Sequence, residues 1–275
     1  MPMIETDDGT ALYLKEWGDG PAVILIHGWP LSADSWDDQA MAIAEHGYRV
    51  ITYDRRGFGR SDQPWEGYDY DTLADDLAAV IEACDAENPA LVGFSMGGGE
   101  IARFLTRHGG EGGGASKVAL ISSVVPFLLQ TPDHQQGVPQ DVFDAITDGL
   151  EKDRAAFLRG FFNDFYGVGL LSKPVSDEQL EWSRQIALQA GLKGTLDCVT
   201  AFSSTDFRPD LASFTMPTLI IHGTADKTVP IDITARAAAK AIPHAVLIEY
   251  DGAPHGLLAS HKNEITADLI AFLDG

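Results

Sequence analysis

One serine of this chain stands in a sequence context that is typical of an acyl-transfer nucleophile. Gly93-Phe94-Ser95-Met96-Gly97 fits the pattern G-x-S-x-G, between a short apolar run and a segment with helical spacing. A sharp strand-to-helix turn holds such a serine in a strained conformation with its hydroxyl exposed, and the flanking glycines leave room for the neighbouring backbone. The pattern therefore predicts that Ser95 is the nucleophile of an acyl-transfer reaction.

Ser95 needs a base that is held by an acid, because a serine hydroxyl is a weak nucleophile at neutral pH. Asp226 follows the apolar run 218–222 by four residues, and His255 lies on the loop after the last apolar run. The order serine, acid, histidine is the one found in folds with this kind of turn. We predict that Ser95 attacks, His255 transfers the proton and Asp226 orients the imidazole. Asp251, four residues before His255, is the alternative acid.

The transition state of acyl transfer carries a negative oxygen, which backbone N–H groups can stabilise. The expected donors are the N–H of Met96, directly after the nucleophile, and the N–H of Trp29, directly after His27-Gly28. Because backbone groups donate, the surrounding side chains are free to contact the substrate. The predicted substrate-binding residues are Trp29, Pro30, Phe94, Met96, Phe127 and Phe162.

The other histidines and the two cysteines are not expected to carry chemistry. His27 and His222 end apolar runs, and we expect them to satisfy backbone groups near the site. The sequence has no H-x-H, H-E-x-x-H or C-x-x-C pattern, so we predict neither a metal nor another cofactor. Cys84 and Cys198 are expected to be buried free thiols in a reducing compartment.

Six apolar runs alternate with four segments of helical spacing, and these elements must position the reactive groups. The apolar runs cover 22–26, 49–53, 90–94, 117–122, 218–222 and 245–250. The helical segments cover 35–46, 70–85, 96–108 and 231–241. Near-continuous apolar runs are typical of strands that are buried on both faces of a parallel sheet. We therefore predict an α/β fold with a mostly parallel central sheet, flanked by helices and joined by right-handed crossovers.

The alternation stops at 126–210, where no strand-like run occurs. We predict that residues 1–125 and 211–275 form the core and that 126–210 forms a helical cap. Ser176 and Gln179 are a candidate capping box within this segment. Three short helices are predicted, over 154–166, 178–190 and 195–202. One helical face carries four rings that suit a second small core and a roof over the pocket: Phe157, Phe161, Phe162 and Phe165.

The composition limits the partners of the chain. Its 275 residues include 41 acidic and 19 basic side chains, which gives a formal net charge of −22. Phosphate groups are bound by clustered Lys and Arg, so we expect neither a nucleic-acid partner nor an anionic membrane surface. The N-terminus lacks the apolar run of a signal peptide, and no segment has the about 18 uninterrupted apolar residues of a membrane span. We expect a cytoplasmic protein, with a homo-oligomer as an open possibility.

Five segments resemble, in the right order, those of α/β-hydrolases, and in particular the cofactor-free haloperoxidases and aryl esterases, a group that includes perhydrolases. They are His27-Gly28-Trp29-Pro30, residues 54–61 (DRRGFGRS), Gly93 to Glu100, residues 222–226 (HGTAD) and residues 252–256 (GAPHG). The resemblance extends nearly from end to end. We expect the charged loop 54–62 to be structural and to lie beneath the site.

The resemblance implies a serine esterase that hydrolyses small carboxylic esters through an acyl-enzyme, without a cofactor. Hydrogen peroxide in place of water would give a peracid that oxidises halide in solution, so the implied reactants are a small ester or carboxylic acid and hydrogen peroxide. In the group resembled, a proline after the oxyanion tryptophan accompanies better peracid formation, and Pro30 has this position. A rigid turn is the alternative role for Pro30. Two prolines are expected after the sixth strand, but Val125-Pro126-Phe127 holds one.

Other functions stay open beside this one. A C–C bond hydrolase or a lactonase would use the same triad, and a non-catalytic ligand-binding receptor can keep the pocket without turnover. Serine at position 95 argues against dehalogenases and epoxide hydrolases, which have aspartate there. The intact set of Ser95, Asp226 and His255 favours an enzyme over a receptor.

Overall fold

A single sheet organises the chain, whose computed structural model describes residues 3–110, 112–170 and 172–275. Within these residues the sheet has eight strands: β1 (Met3–Glu5), β2 (Ala11–Trp17), β3 (Ala22–Ile26), β4 (Arg49–Tyr53), β5 (Ala90–Phe94), β6 (Lys117–Ile121), β7 (Thr218–Gly223) and β8 (Val246–Tyr250). Their order is β1-β2-β4-β3-β5-β6-β7-β8. Strands β3 to β8 pair in parallel, while β1 and β2 pair antiparallel at one edge.

The six parallel strands coincide with the six apolar runs to within one residue at each end. Every residue of β5, in the middle of the sheet, is buried, whereas β8 at the edge is half-buried. The sequence did not predict β1 and β2. Strand β1 is short, with two exposed residues and one half-buried residue, and β2 includes Lys15 and Glu16, so neither forms a continuous apolar run.

Helices cover both faces of the sheet, in the described part of the chain. They are α1 (Asp37–Glu45), α2 (Tyr70–Ala83), α3 (Met96–His108), α4 (Gln140–Phe165), α5 (Asp177–Gln189), α6 (Leu192–Ser204), α7 (Ala235–Ala241), α8 (Leu257–Ser260) and α9 (Lys262–Asp274). Along β3, Ile24 and Ile26 pack with α2 and α3, while Val23 and Leu25 pack with α1 and α9, as the two-residue period of a strand requires. This layered arrangement confirms the predicted α/β class. Helix α7 begins at Ala235 rather than at 231, because residues 231–234 form a turn.

The segment 126–210 contains α4, α5 and α6. Helix α4 starts at Gln140, fourteen residues before the predicted start at 154, and Asp153 interrupts it with extended backbone at φ −161°. The predicted helix therefore corresponds to the half of α4 after this break. Ser176 does cap α5, since its Oγ accepts the N–H of Gln179 at 3.1 Å. The Gln179 side chain turns to Ser183 instead of closing the predicted box. None of the described helices is long and apolar enough to cross a membrane.

Candidate active site

Ser95 occupies a sharp turn between β5 and α3. Its backbone has φ +53° and ψ −116°, a conformation that side-chain-bearing residues rarely adopt. A Cβ on Gly93 would lie 2.7 Å from the carbonyl carbon of Gly97, and a Cβ on Gly97 would lie 2.6 Å from the oxygen of Ile26. Both glycines are therefore needed, because the turn presses against its own backbone and against the end of β3.

The structure brings the three predicted catalytic side chains together. His255 Nε2 lies 3.0 Å from Ser95 Oγ, and His255 Nδ1 lies 2.6 Å from Asp226 Oδ2. The exposed fractions are 6% for Ser95, 8% for Asp226 and 1% for His255. The alternative acid, Asp251, accepts a hydrogen bond from the hydroxyl of Thr224 at 3.2 Å. The geometry thus fits Asp226 as the partner of His255.

Two loops at the carboxyl ends of β7 and β8 carry Asp226 and His255. The N–H of Ala225 donates to the oxygen of Ala253 at 3.1 Å, which ties one loop to the other. A Cβ on Gly223 would lie 2.2 Å from the same Ala253 oxygen, so glycine is required for this close approach. The parallel pairing of the two strands therefore delivers the acid and the imidazole to one place.

Three hydrogen bonds and one close polar contact hold the carboxylate of Asp226. Oδ1 accepts the N–H groups of Thr228 at 2.9 Å and Val229 at 2.8 Å. Oδ2 accepts the hydrogen bond of His255 Nδ1 and lies 3.1 Å from His222 Nε2. Burial opposes ionisation of the group, but the attraction of His255 and of the nearby His222 holds the pKa of Asp226 below its usual value. The acid is therefore ionised at neutral pH.

Two buried N–H groups are available beside the hydroxyl of Ser95. Within the described residues, neither the N–H of Trp29 nor that of Met96 donates to a protein acceptor. Gly28 brings the first of them close, since a Cβ on Gly28 would lie 3.0 Å from Ser95 Cβ. Met96 is the first residue of α3, where the helix leaves its N–H groups unpaired. This arrangement supports the predicted oxyanion role, which stays a prediction.

A buried polar network fixes the peptide that carries the Trp29 N–H. His27 Nε2 accepts the N–H of Arg55 at 3.0 Å, so its Nδ1 carries the proton and donates to the oxygen of Gly28 at 3.0 Å. That oxygen and the Trp29 N–H belong to one planar peptide group. Burial and the charge of Arg55 hold the pKa of His27 well below its usual value, so the ring is neutral. His27 therefore has the structural role that we expected.

The same network continues to Glu100 in α3. Arg55 donates to the oxygen of His27 at 2.7 Å and pairs with Glu100, and both charged side chains are fully buried. The hydroxyl of Tyr53 donates to the second carboxylate oxygen of Glu100 at 2.7 Å. Elsewhere in the loop 54–62, Arg56 forms a two-bond pair with Asp76. These contacts agree with the expected structural role of this charged loop.

A cavity of about 240 Å³ opens onto Ser95. Its lining is mainly apolar and comes from the end of β6, from the segment 126–210 and from the loop after Asp226. The lining residues are Trp29, Ser95, Val124, Leu128, Val138, Val142, Phe143, Ile146, Phe161, Phe202, Lys227, Thr228, Val229 and Pro230. Edge-on contacts with Phe161 and Phe202, at centroid distances of 5.3 and 5.5 Å, hold the ring of Trp29 in place.

Among the six predicted substrate-binding residues, Trp29 alone lines this cavity. The ring of Phe94 packs behind His255, at a centroid distance of 5.2 Å. Phe162 follows Phe161 on α4 and turns away, to pack on Phe165 and Tyr166. Phe127 stacks on the ring of His134. The three rings therefore lie outside this lining, and their contact with substrate stays a prediction.

Pro30 and Met96 are buried close to Ser95 but are not part of the lining either. The peptide between Trp29 and Pro30 is cis. The hydroxyl of Tyr70 donates to the oxygen of Met96 at 3.1 Å. The roles of Pro30 and Met96 in substrate binding stay predictions.

Most of the lining escaped sequence analysis for an identifiable reason. Val142, Phe143 and Ile146 belong to the first half of α4, which was not predicted as a helix. Their spacing of one and four residues is a helical signal, but acidic side chains interrupt it. Lys227 and Thr228 directly follow Asp226, so their place at the cavity follows from the position of the acid. Among the described residues, no group of three or more His, Cys, Asp and Glu side chains is arranged to hold a metal ion.

Comparison with known proteins agrees with this fold and site. A family model described as the alpha/beta hydrolase fold matches residues 21–262. A non-heme chloroperoxidase of Kitasatospora aureofaciens is 40% identical, with 100% of each chain covered. A bifunctional esterase/perhydrolase of Acinetobacter calcoaceticus is 39% identical, with 99% of each chain covered. The crystal structure of a bromoperoxidase from Bacillus anthracis matches with a TM-score of 0.95 at 44% identity, over 100% of this chain and 99% of that one.

The chain therefore belongs to the α/β-hydrolase fold family, and it is a hydrolase. Within the family it is similar, over its whole length, to non-heme haloperoxidases and to an esterase/perhydrolase. The predicted fold and the predicted resemblance are both confirmed.

Proposed function

We propose that this protein is a serine esterase that hydrolyses small carboxylic esters through an acyl-enzyme on Ser95, and that hydrogen peroxide can replace water as the acceptor. The contact between Ser95 Oγ and His255 Nε2, at 3.0 Å, carries this proposal. It lies within the reach that general-base catalysis needs. The esterase/perhydrolase and haloperoxidase relatives support the same two activities.

The first half-reaction forms the acyl-enzyme. Ser95 Oγ attacks the ester carbonyl carbon while its proton passes to His255 Nε2. The N–H groups of Trp29 and Met96 stabilise the negative oxygen of the tetrahedral intermediate. His255 then gives the proton to the leaving alcohol oxygen as the carbon–oxygen bond breaks, and Asp226 stabilises the imidazolium while it exists.

The second half-reaction releases the acyl group. Water, deprotonated by His255, attacks the acyl carbon and yields a carboxylic acid and free Ser95. When hydrogen peroxide attacks instead, the product is a peracid. A carboxylic acid also suffices as the acyl donor, since its acylation of Ser95 releases water and peroxide then forms the peracid. The peracid oxidises halide after it has left the site, so no halide-binding group is required.

The size and lining of the cavity support a small and largely uncharged substrate. At about 240 Å³ the space is at the lower end for small-molecule sites, and its walls are mainly apolar. Lys227 is the charged member of the lining that the structure describes. The segment 126–210 contributes Phe143, Phe161 and Phe202, so we include in the proposal that it acts as a cap over Ser95.

Hydrolysis of p-nitrophenyl acetate tests the esterase. We expect Ser95→Ala to lower kcat about 10⁴-fold or more and to abolish the burst of p-nitrophenol, because the nucleophile is lost. Ser116→Ala is the matched control, since Ser116 is exposed at the start of β6 and should keep the full rate. Full activity of Ser95→Ala would refute the assignment of the nucleophile.

The peroxide branch is tested on the same two variants. Bromination of monochlorodimedone is measured with acetate, bromide and hydrogen peroxide. We expect bromination by the wild type and by Ser116→Ala, and none by Ser95→Ala, because the peracid forms on the same serine. An intact esterase without bromination would remove the perhydrolase activity from the proposal.

A further inference from the structure

His222 ends β7 inside the protein, in contact with the triad acid. Its Nε2 lies 2.9 Å from the oxygen of Val229 and 3.1 Å from Oδ2 of Asp226. The side chain is fully buried. The proposed reaction gives this imidazole no chemical step, although it shares an oxygen of Asp226 with His255.

The neighbours of His222 fix its tautomer. A backbone carbonyl can only accept hydrogen bonds, so Nε2 carries the proton and donates to the oxygen of Val229, with Asp226 Oδ2 close beside it. The other nitrogen, Nδ1, is buried and has no hydrogen-bond partner within the described residues.

The surroundings of Nδ1 favour this tautomer. A proton on Nδ1 would be a buried donor without an acceptor, at a cost of about 1–3 kcal/mol. His222 thus differs from His255, whose Nε2 faces the Ser95 hydroxyl and can take its proton.

His222, Val229 and Asp226 contact one another in turn, and Val229 belongs to the cavity wall. Val229 accepts from His222 through its carbonyl, and its own N–H donates to Oδ1 of Asp226 at 2.8 Å. Val229 lines the cavity beside Thr228 and Pro230. One imidazole therefore connects the triad acid to the wall that faces the substrate.

We propose that His222 is a positioning residue for the triad, an imidazole whose Nε2–H, donated to Val229 beside Asp226, holds the carboxylate and the 227–230 wall in a single arrangement. This inference rests on the proposed function, because it assigns His222 a place behind the same acid. Without the Nε2–H of His222 nearby, the charge of Asp226 acts more strongly on the ring of His255. We therefore expect activity to be lost at a higher pH than in the wild type.

The charged groups around both imidazoles are few in the described structure. Lys227 and Asp251 lie on the flanking loops, and Glu249 is the β8 neighbour of His222 in register, paired with Arg236 of α7 at 2.8 Å. The aromatic neighbours of His255, Phe94 and Phe165, carry no charge. Asp226 is thus the charged group in direct contact with His255, and its hydrogen bonds dominate the pH dependence.

Nitrogen-15 NMR of the native protein with labelled histidine tests the tautomer without any kinetic readout. We expect the neutral form of one histidine, whose signals are missing in His222→Gln, to carry its proton on Nε2. A neutral ring that carries its proton on Nδ1 would overturn the proposal. This result does not depend on which substrate the protein hydrolyses.

Two variants of position 222 test the positioning role. His222→Met removes the donor at similar size, while the amide of His222→Gln can still donate to Asp226. We expect His222→Met to lower kcat about tenfold and to move the acid limb of the kcat/KM profile to higher pH by about half a pH unit. In His222→Gln, we expect both kcat and the position of the acid limb to stay close to those of the wild type.

If both variants lost kcat equally and the acid limb of their kcat/KM profiles did not move, His222 would have only a packing role and the proposal would be overturned. If the Met variant fails to fold, the tautomer measured in the native protein and the pH profile of the Gln variant decide. Failure of Ser95→Ala to lose activity would instead contradict the proposed function. The two failures are therefore distinguishable.

Discussion

The floor beneath Ser95 and the roof above it are built from opposite kinds of contact. The floor, which we define as Tyr53, Arg55, Glu100 and His27, is polar, fully buried and joined by directional hydrogen bonds. The roof, defined as the cavity-lining part of 126–210, consists of aromatic and aliphatic side chains in edge-on contact. The hydrogen bonds of the floor fix the direction of polar groups, whereas the apolar side chains of the roof fill space.

The difference follows from what each region must do. An oxyanion is stabilised only by donors that point at it, and the floor sets the Gly28–Trp29 peptide through His27. Apolar packing is non-directional, so side chains in the roof can change size while the reactive atoms stay where they are. We therefore expect substitutions in the floor to affect rate and stability, and substitutions in the roof to affect the choice of substrate.

The largest effect should come from the charge of Glu100. In Glu100→Gln, Arg55 stays buried without a counter-ion, so we expect the free energy of unfolding to fall by about 3–5 kcal/mol. We also expect kcat to fall about 10- to 100-fold, because a displaced Arg55 no longer holds His27, whose Nδ1 fixes the oxyanion peptide. Urea denaturation and ester hydrolysis well below the melting temperature measure the two quantities.

Glu16→Gln is the matched control for this prediction. Glu16 pairs with Arg49 on the surface at 2.7 Å, where such a pair contributes at most about 1 kcal/mol. If Glu100→Gln lowered the free energy of unfolding and kcat as little as Glu16→Gln does, the directional role of the floor would be contradicted.

A smaller effect, mainly on specificity, is expected from Phe161 in the roof. Phe161→Ala removes a ring that touches Trp29, and the enlarged cavity should accept longer acyl chains. We expect the ratio of kcat/KM for p-nitrophenyl butyrate to that for the acetate to rise about tenfold, since a buried methylene is worth about 1–3 kcal/mol in discrimination. Phe157→Ala is the control, because Phe157 stacks on Phe161 outside the lining. An unchanged ratio in Phe161→Ala would show that the roof does not select the acyl chain.

The positions of the triad residues were more predictable from the sequence than the roof or the ion pair of the floor. The strand ends carry Ser95 and Asp226, and apolar runs locate strand ends because parallel strands are buried on both faces. The glycines around Ser95 added a backbone constraint that few other turns share. These features are local, so a single sequence contains them.

The roof depends on contacts that a local pattern does not contain. Whether Phe161 or Phe162 faces the cavity is decided by a rotation of about 100° between neighbours on α4 and by the packing of α5 and α6. Phe94 likewise precedes the nucleophile in sequence, but its ring lies behind His255. Arg55 and Glu100 are far apart in the chain, and only the sheet brings them together.

The smallest effect should come from Ser176, at the start of α5. Ser176→Ala removes the acceptor for the N–H of Gln179, and a lost N-cap costs about 1 kcal/mol. We expect the melting temperature to fall by about 2–4 °C. Ser176→Asp keeps an acceptor and should retain the stability of the wild type.

Ser176→Ala also tests how far the roof is coupled to the site. Helix α5 does not contribute to the described cavity lining and contacts α4 through the hydroxyls of Tyr166 and Ser183, 2.8 Å apart. If the roof only fills space, a weakened α5 leaves the acetate-to-butyrate preference of the wild type in place. A preference that changes with Ser176→Ala would mean that α5 positions the lining of α4. The roof would then be a directional structure like the floor, and the contrast between them would be wrong.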